Sequence, residues 1–258
     1  MSEALVLVEQ HDAVVVLRMN LPAKRNALVI ELREALIETV EAHMQDAACR
    51  VIVLTGTGGS FCAGGDLDSL RDHDPLEVRT RMQRGQHLVR LIVTGPKPVI
   101  AAVNGAAHGA GLSIAAACDV VIAGDSAKFG AVFSKVGLMG DLGLLWSLPH
   151  RVGLSETKRM LYGGAILGAD EARAAGLADE RAADDQLLAV ALERARRLAE
   201  APPIAVAMTK GALARSCSSL EEAFALELDG QTLLFSTEDF VEGRDAFRQR
   251  RAAHFQGR

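Results

Sequence analysis

The chain has 258 residues, 49% of them hydrophobic and 24% charged, and a net charge of −5. That is the composition of a globular protein with room for one large domain or two small ones. It lacks the basic excess of a nucleic-acid binder, and no run approaches the ~18–20 apolar residues of a membrane span. The four cysteines, Cys49, Cys62, Cys118 and Cys217, form no CxxC and no zinc-like spacing. They read as small buried residues in a reducing compartment, and no metal site is expected. The opening "MSEALVLVEQHD" carries acids where a signal peptide needs a basic stretch, so the expected location is the cytoplasm.

Residues 4–19, "ALVLVEQHDAVVVLRM", hold two β-branched runs about a polar turn and predict a hairpin. Leu28, Leu32, Ala35, Leu36, Val40 and Met44 recur at helical spacing, so 28–44 reads as a helix. A buried strand, Val51 to Thr55, then runs into the glycine-rich "GTGGSFCAGGDL". Residues 72–93 are polar and helical in character. A second strand, Val99 to Val103, runs into a second glycine-rich stretch, "NGAAHGAG". A short alanine-rich helix leads to a third strand, Val120 to Ala123. Strands alternating with helices predict an α/β fold with parallel strands. Beyond residue 141 strand signals nearly stop. Residues 184–200, 203–214, 219–235 and 238–251 read as helices, with "APP" at 201–203 as a break. The expected division is a core of residues 1–195 and a helical region of residues 196–258.

Glycine allows positive φ and close approach of backbone to a ligand. Free N–H groups at such a turn, or at the start of the next helix, attract negative charge. Two such turns at the same end of neighbouring strands would aim two N–H groups at one point, the geometry of an oxyanion hole. Neither stretch is a GxGxxG with a distal acid, and neither is a GxxxxGK[ST] phosphate loop. The plainer reading of each loop alone is a turn. "GLMGDLGLLW", residues 137–146, contains a single charge, Asp141. Asp is a favoured N-cap, so this acid reads either as the start of a helix or as a working carboxylate.

"FCAGGDL" and "AVNGAAHGAGLSIAAACDVVIAGDSAKFG" resemble the two signature stretches of the enoyl-CoA hydratase/isomerase family, the crotonase superfamily. The likeness extends to "PAKRNAL", to "GLADE" at 176–180 and to the C-terminal "EDFVEGRDAFRQRRAAHFQGR". The resemblance implies a crotonase (ClpP/crotonase-like) fold of repeated ββα units followed by a helical trimerisation region. It implies an acyl-CoA substrate, no cofactor beyond the coenzyme A that the substrate carries, and a homotrimer or dimer of trimers. By position it makes the backbone N–H groups of Ala63 and Ala110 the oxyanion donors to the thioester oxygen. Lys24, Arg25 and Arg250 match basic positions that approach the CoA nucleotide, the last often across a subunit boundary.

The family's hydratases use two glutamates, and the matching positions here are Ser113 and Phe133. A hydroxyl and a phenyl ring cannot hold and activate a water together. Certain isomerases and the chlorobenzoyl-CoA dehalogenases of the family keep an acid where Asp141 stands. The expected reaction is therefore double-bond isomerisation with Asp141 as proton shuttle. The alternatives are hydrolysis or dehalogenation with Asp141 as nucleophile, weak hydration, and a non-catalytic binder of CoA esters. Ser113 and Phe133 are expected to line the pocket. His87 and His108 are the histidines near the implied site, without an assigned role. Cys62 and Asp119 read as structural, and Asp66 as a loop-bonding acid.

Overall fold

The computed structural model describes residues 4–66 and 74–258. Leu67, which ends the first glycine-rich stretch, and the first two residues of the expected 72–93 helix lie outside the described residues.

The hairpin forms as the two β-branched runs require. Strands β1 (Val6–His11) and β2 (Val14–Met19) pair antiparallel, with Val6 opposite Met19. Helix α1 (Ile30–Gln45) follows and buries Leu32, Leu36, Ile37, Val40 and Met44. A unit then repeats: a long strand, a three-residue strand and a helix. Its first copy is β3 (Val51–Gly56), β4 (Ser60–Cys62) and α2 (Pro75–Thr94). Its second is β5 (Val99–Val103), β6 (Ala106–His108) and α3 (Ala110–Ala117). Its third is β7 (Val120–Gly124), β8 (Lys128–Gly130) and α4 (Leu144–Gly163). Then come β9 (Ile166–Gly168), α5 (Ala169–Ala174), β10 (Glu180–Ala182) and α6 (Leu187–Ala199).

The long strands make one sheet, ordered β1-β2-β3-β5-β7-β10 and parallel from β2 onward. The short strands make a second, β4-β6-β8-β9. Each unit thus crosses from the first sheet to the second before its helix returns, which is the ββα spiral of the expected fold. The apolar runs of β3, β5 and β7 are continuous because both faces of that sheet are covered. Val14, Val16, Val51, Val53, Ile100 and Ile122 face Leu187, Ala191 and Ala195 of α6. The alternate residues Val15, Leu17, Ile52, Leu54, Val99 and Val103 face the main core with α1 and α2. This is the period-two alternation of a strand.

The short strands are not legible in the sequence, and of α4 only the start is. Three residues carry no readable period. The long α4 contains Pro149 and is kinked at Gly153, whose φ is +73°. α6 runs through residue 195 to Ala199, and the "APP" break follows it.

Helices α7 (Pro203–Ala214), α8 (Leu220–Leu234) and α9 (Glu238–Gln249) complete the chain. α7 packs on α2. α8 buries no residue. The tail returns along α9, where the Asp239 carboxylate accepts the Gln256 and Gly257 N–H groups, and Arg50 donates to the Phe255 carbonyl. Arg50 immediately precedes β3, so this tail sits at the pole opposite the glycine-rich turns. Among the described residues no helix is long and apolar enough to cross a membrane.

Candidate active site

Both glycine-rich turns leave the same end of neighbouring strands and meet. A Cβ placed on Gly111 would stand 2.1 Å from the Cys62 carbonyl, and one on Gly64 3.0 Å from the His108 carbonyl. Only glycine lets the turns approach so closely. Behind them stands the "PAKRNAL" turn. Its Asn26 is fully buried, with φ +54°. The Asn26 side chain accepts from the Leu21 N–H (2.8 Å) and donates to the carbonyls of Thr57 (2.9 Å) and Ser60 (2.7 Å). The sequence reading missed this residue; a polar, αL-tolerant side chain inside a turn motif was the available signal. Asn26→Ala leaves three backbone groups without these partners and puts alanine at positive φ. The expected loss is roughly 2–4 kcal/mol in chemical denaturation.

The same turn corrects one expected donor. The Ala63 N–H donates to the Arg25 carbonyl at 3.0 Å, while the Leu28 N–H donates to the Gly64 carbonyl at 2.7 Å. The Ala63 amide therefore staples two turns together and does not face a ligand. The next amides, of Gly64 and Gly65, have no acceptor among the described residues. Gly65 borders open space, since nothing lies within 4 Å of a Cβ placed on it. Ala110 is the first residue of α3, after the N-cap Gly109. Its N–H belongs to the helix-opening groups that have no intrahelical partner.

Asp141 lies in the connection between β8 and α4, which also carries Phe133, whose ring reaches the α3 N-cap Gly109. Arg151 of α4 donates to the carbonyls of Ala116 and Cys118, at the far end of α3. α3 and α4 thus pack against each other. Asp141 precedes α4, whose N-cap is Gly143 and has no side-chain cap bond. The N-cap reading of Asp141 is corrected: only its carbonyl, accepting from the Leu144 N–H at 2.9 Å, serves the helix. Burial pushes the Asp141 carboxyl up to about 6, while its own backbone N–H pulls the other way. Its Oδ1 is cut off from water with no hydrogen-bond partner among the described residues. An acid this costly to bury is a mark of a working group.

The other expected residues separate. Phe133 is buried, and its ring edge lies 3.9 Å from a Cβ placed on Gly109, so it roofs the α3 turn. Ser113 is fully buried in α3, and its hydroxyl donates to the Gly109 carbonyl at 3.2 Å. Lys24 pairs with Asp66 at 2.9 Å beside the first glycine turn, and Arg25 is adjacent. Arg250, the exposed C-cap of α9, belongs to the region that packs at the other pole. His108 is held below its usual range by burial and by the Arg25 and Lys135 cations, so it is neutral near pH 7. His87 lies partly buried on α2. Cys62 is buried with its thiol pushed up to about 11, which makes it inert packing. Asp119 accepts the Val99 N–H and pairs with the buried Lys210, a structural role. A cavity at the opposite pole, lined by Cys49, Pro98, Leu198 and Met208, offers no free cation. Its Lys97 and Arg50 are spent on backbone carbonyls.

Comparison with known proteins agrees with this architecture. The sequence model of the family described as enoyl-CoA hydratase/isomerase matches residues 9–258. The chain is 39% identical to the 2,3-dehydroadipyl-CoA hydratase of Escherichia coli K12 over the full length of both. It is 35% identical to the 1,2-epoxyphenylacetyl-CoA isomerase of the same organism, over 98% of each chain. A crystal structure of an enoyl-CoA hydratase/isomerase from Cupriavidus metallidurans superposes with a TM-score of 0.91 at 36% identity, covering 100% of this chain and 98% of that one. This chain therefore belongs to the enoyl-CoA hydratase/isomerase family of the crotonase superfamily, as an enzyme acting on acyl-CoA thioesters.

Proposed function

We propose that the enzyme moves a carbon–carbon double bond along an acyl-CoA chain, with Asp141 as the proton carrier. The amides of Gly65 and Ala110 hold the thioester oxygen. The ionised carboxylate takes a proton from the α-carbon of a 3-enoyl-CoA, and the electron pair moves into a dienolate whose charge rests on that oxygen. The protonated acid then returns the proton at the γ-carbon, leaving the 2-enoyl-CoA and a free carboxylate. The proton passes from carbon to carbon, so the step needs no redox or metal group.

The observation that carries this reading is a half-buried carboxylate whose Oδ1 is cut off from water without a hydrogen-bond partner among the described residues, with no second acid at Ser113 or Phe133. One carboxylate suffices for a shuttle, whereas hydration needs a water both held and activated. An isomerase acting on an epoxide and a hydratase both stand among the relatives, so hydration remains a measurable alternative. The test is incubation of a short 3-enoyl-CoA in D₂O with the wild-type protein and with Asp141→Asn. Exchange at the α- or γ-carbon and formation of the 2-enoyl product, both abolished in the variant, is the expected result. Hydroxyacyl-CoA as the main product overturns it.

Lys24 and Arg25 beside the first turn fit the CoA phosphates in the same reading. Arg250 reaches such a ligand only on another copy of the chain. The assembly that supplies it is a homotrimer or a dimer of trimers. α8 supports this: Leu220, Phe224 and Leu228, at i, i+4 and i+8, are 63%, 53% and 70% exposed along one stripe. Sedimentation should give three or six chains per particle, and Leu228→Glu should shift the particle toward single chains. A monomeric wild type would remove Arg250 from the site.

A further inference from the structure

Midway along α2 the chain places a buried glycine, Gly85, in a helix interior where alanine is the better residue. The reason lies opposite. A Cβ on Gly85 would stand 2.4 Å from Leu142 Cδ2, with Cγ and Cδ1 at 3.7 and 3.8 Å. The forked end of Leu142 fills the place of the missing methyl. One helical turn further on, Val89 Cγ1 lies 3.2 Å from a Cβ placed on Gly143. The same face of α2 thus grips two consecutive residues, 142 and 143.

Those two residues hold an uncommon backbone. Gly143 has φ +75°, and Leu142, only 5% exposed, has φ +48°. A bulky side chain at positive φ is disfavoured and persists only where the surroundings over-determine it. Asp141 is the residue immediately before this turn. The direction in which its carboxylate points is therefore fixed by whether Leu142 is seated.

We infer that Gly85 and Leu142 are positioning residues for Asp141, a socket and a peg that set where the carboxylate stands. This rests on the reading of Asp141 as proton carrier, but the contact can be tested without it. Burial is what raises the Asp141 carboxyl, and no charged side chain contributes. Unseating the peg opens the turn to water and returns the group toward the ordinary carboxylate range.

The experiment compares Gly85→Ala, Leu142→Ala and the double variant. Readouts are kcat and KM on a 3-enoyl-CoA, thermal melting, and ¹³C-carboxyl titration of Asp141 in the ligand-free protein. Gly85→Ala should lower kcat at least tenfold with KM within twofold. Melting should fall only modestly, because the helix preference of alanine offsets part of the cost of unseating a buried leucine. The Asp141 titration should fall by a full pH unit or more. The double variant, in which the new methyl occupies part of the vacated space, should regain part of the rate lost in each single change. An unmoved titration, or single effects that simply add in the double variant, overturns the inference. If Gly85→Ala does not fold, the titration of Leu142→Ala decides. A moved titration in a protein whose Asp141→Asn variant still turns over leaves the positioning role intact and removes the proton-carrier reading instead.

Discussion

Asp141→Asn will bind acyl-CoA as the wild type does and lose about 10²–10⁴-fold in isomerisation rate, the usual contribution of a positioned acid–base group. Asparagine has the same shape, so the CoA contacts and the amide pair are untouched, and the loss should fall on kcat. The wild-type profile follows from burial. A carboxyl raised to about 6 must be ionised to accept a proton. Hence kcat/KM should climb as pH rises through about 6 and level above it. Stability runs the other way. The folded state holds this proton more tightly than the unfolded chain, so the contribution of this group to stability is greatest at acid pH. It declines as pH rises from about 4, the unfolded value, through about 6. Removing the charge should therefore make Asp141→Asn roughly 2–3 kcal/mol more stable than wild type at pH 8, with the gain vanishing near pH 4. Denaturation at both pH values measures this. A variant equally stable at pH 8 would mean that the carboxylate is well solvated. Solvent ¹⁸O found in Asp141 after turnover would make it a nucleophile and not a base.

The sequence carries the parts of this molecule that depend on long periods. The strands of the large sheet show because four or five consecutive apolar residues are buried on both faces, as in Val51–Leu54 and Val99–Val103. The terminal helices show because their ends carry caps and breaks such as Thr237 and Pro202. The second sheet does not show, since Ser60–Cys62 and Ala106–His108 are three residues each and are selected by tertiary pairing. The lone charge at Asp141 marks a site, but its neighbours also suit a helix start, and only coordinates show that Gly143 caps the helix. That the Ala63 amide is already taken is hidden for a related reason. Which amide in "CAGGD" is free depends on the Arg25 carbonyl, a contact between turns far apart in the chain. Gly85 is invisible for the same cause, because the peg that needs it lies beyond residue 140.

Ala110→Pro is the cleanest removal of a single donor, because position N1 of a helix tolerates proline. The ring fixes φ near the helical value and deletes an N–H that the helix never used. α3 should therefore form as before, with melting close to wild type. The thioester oxygen loses one of its two hydrogen bonds, and the expected cost is about 10²–10³ in kcat. The α-proton exchange in D₂O should slow by the same factor, since it reports the enolate before any later step. Ala63 supplies the contrast. Its N–H holds the Arg25 carbonyl, so Ala63→Pro should break the staple between the turns and lower stability. A rate loss without a stability loss at Ala110, beside a stability loss at Ala63, assigns one amide to chemistry and the other to folding. If both variants melt early and exchange slows no further than unfolding explains, neither amide is held in reserve for the substrate, and the enolate must be stabilised elsewhere.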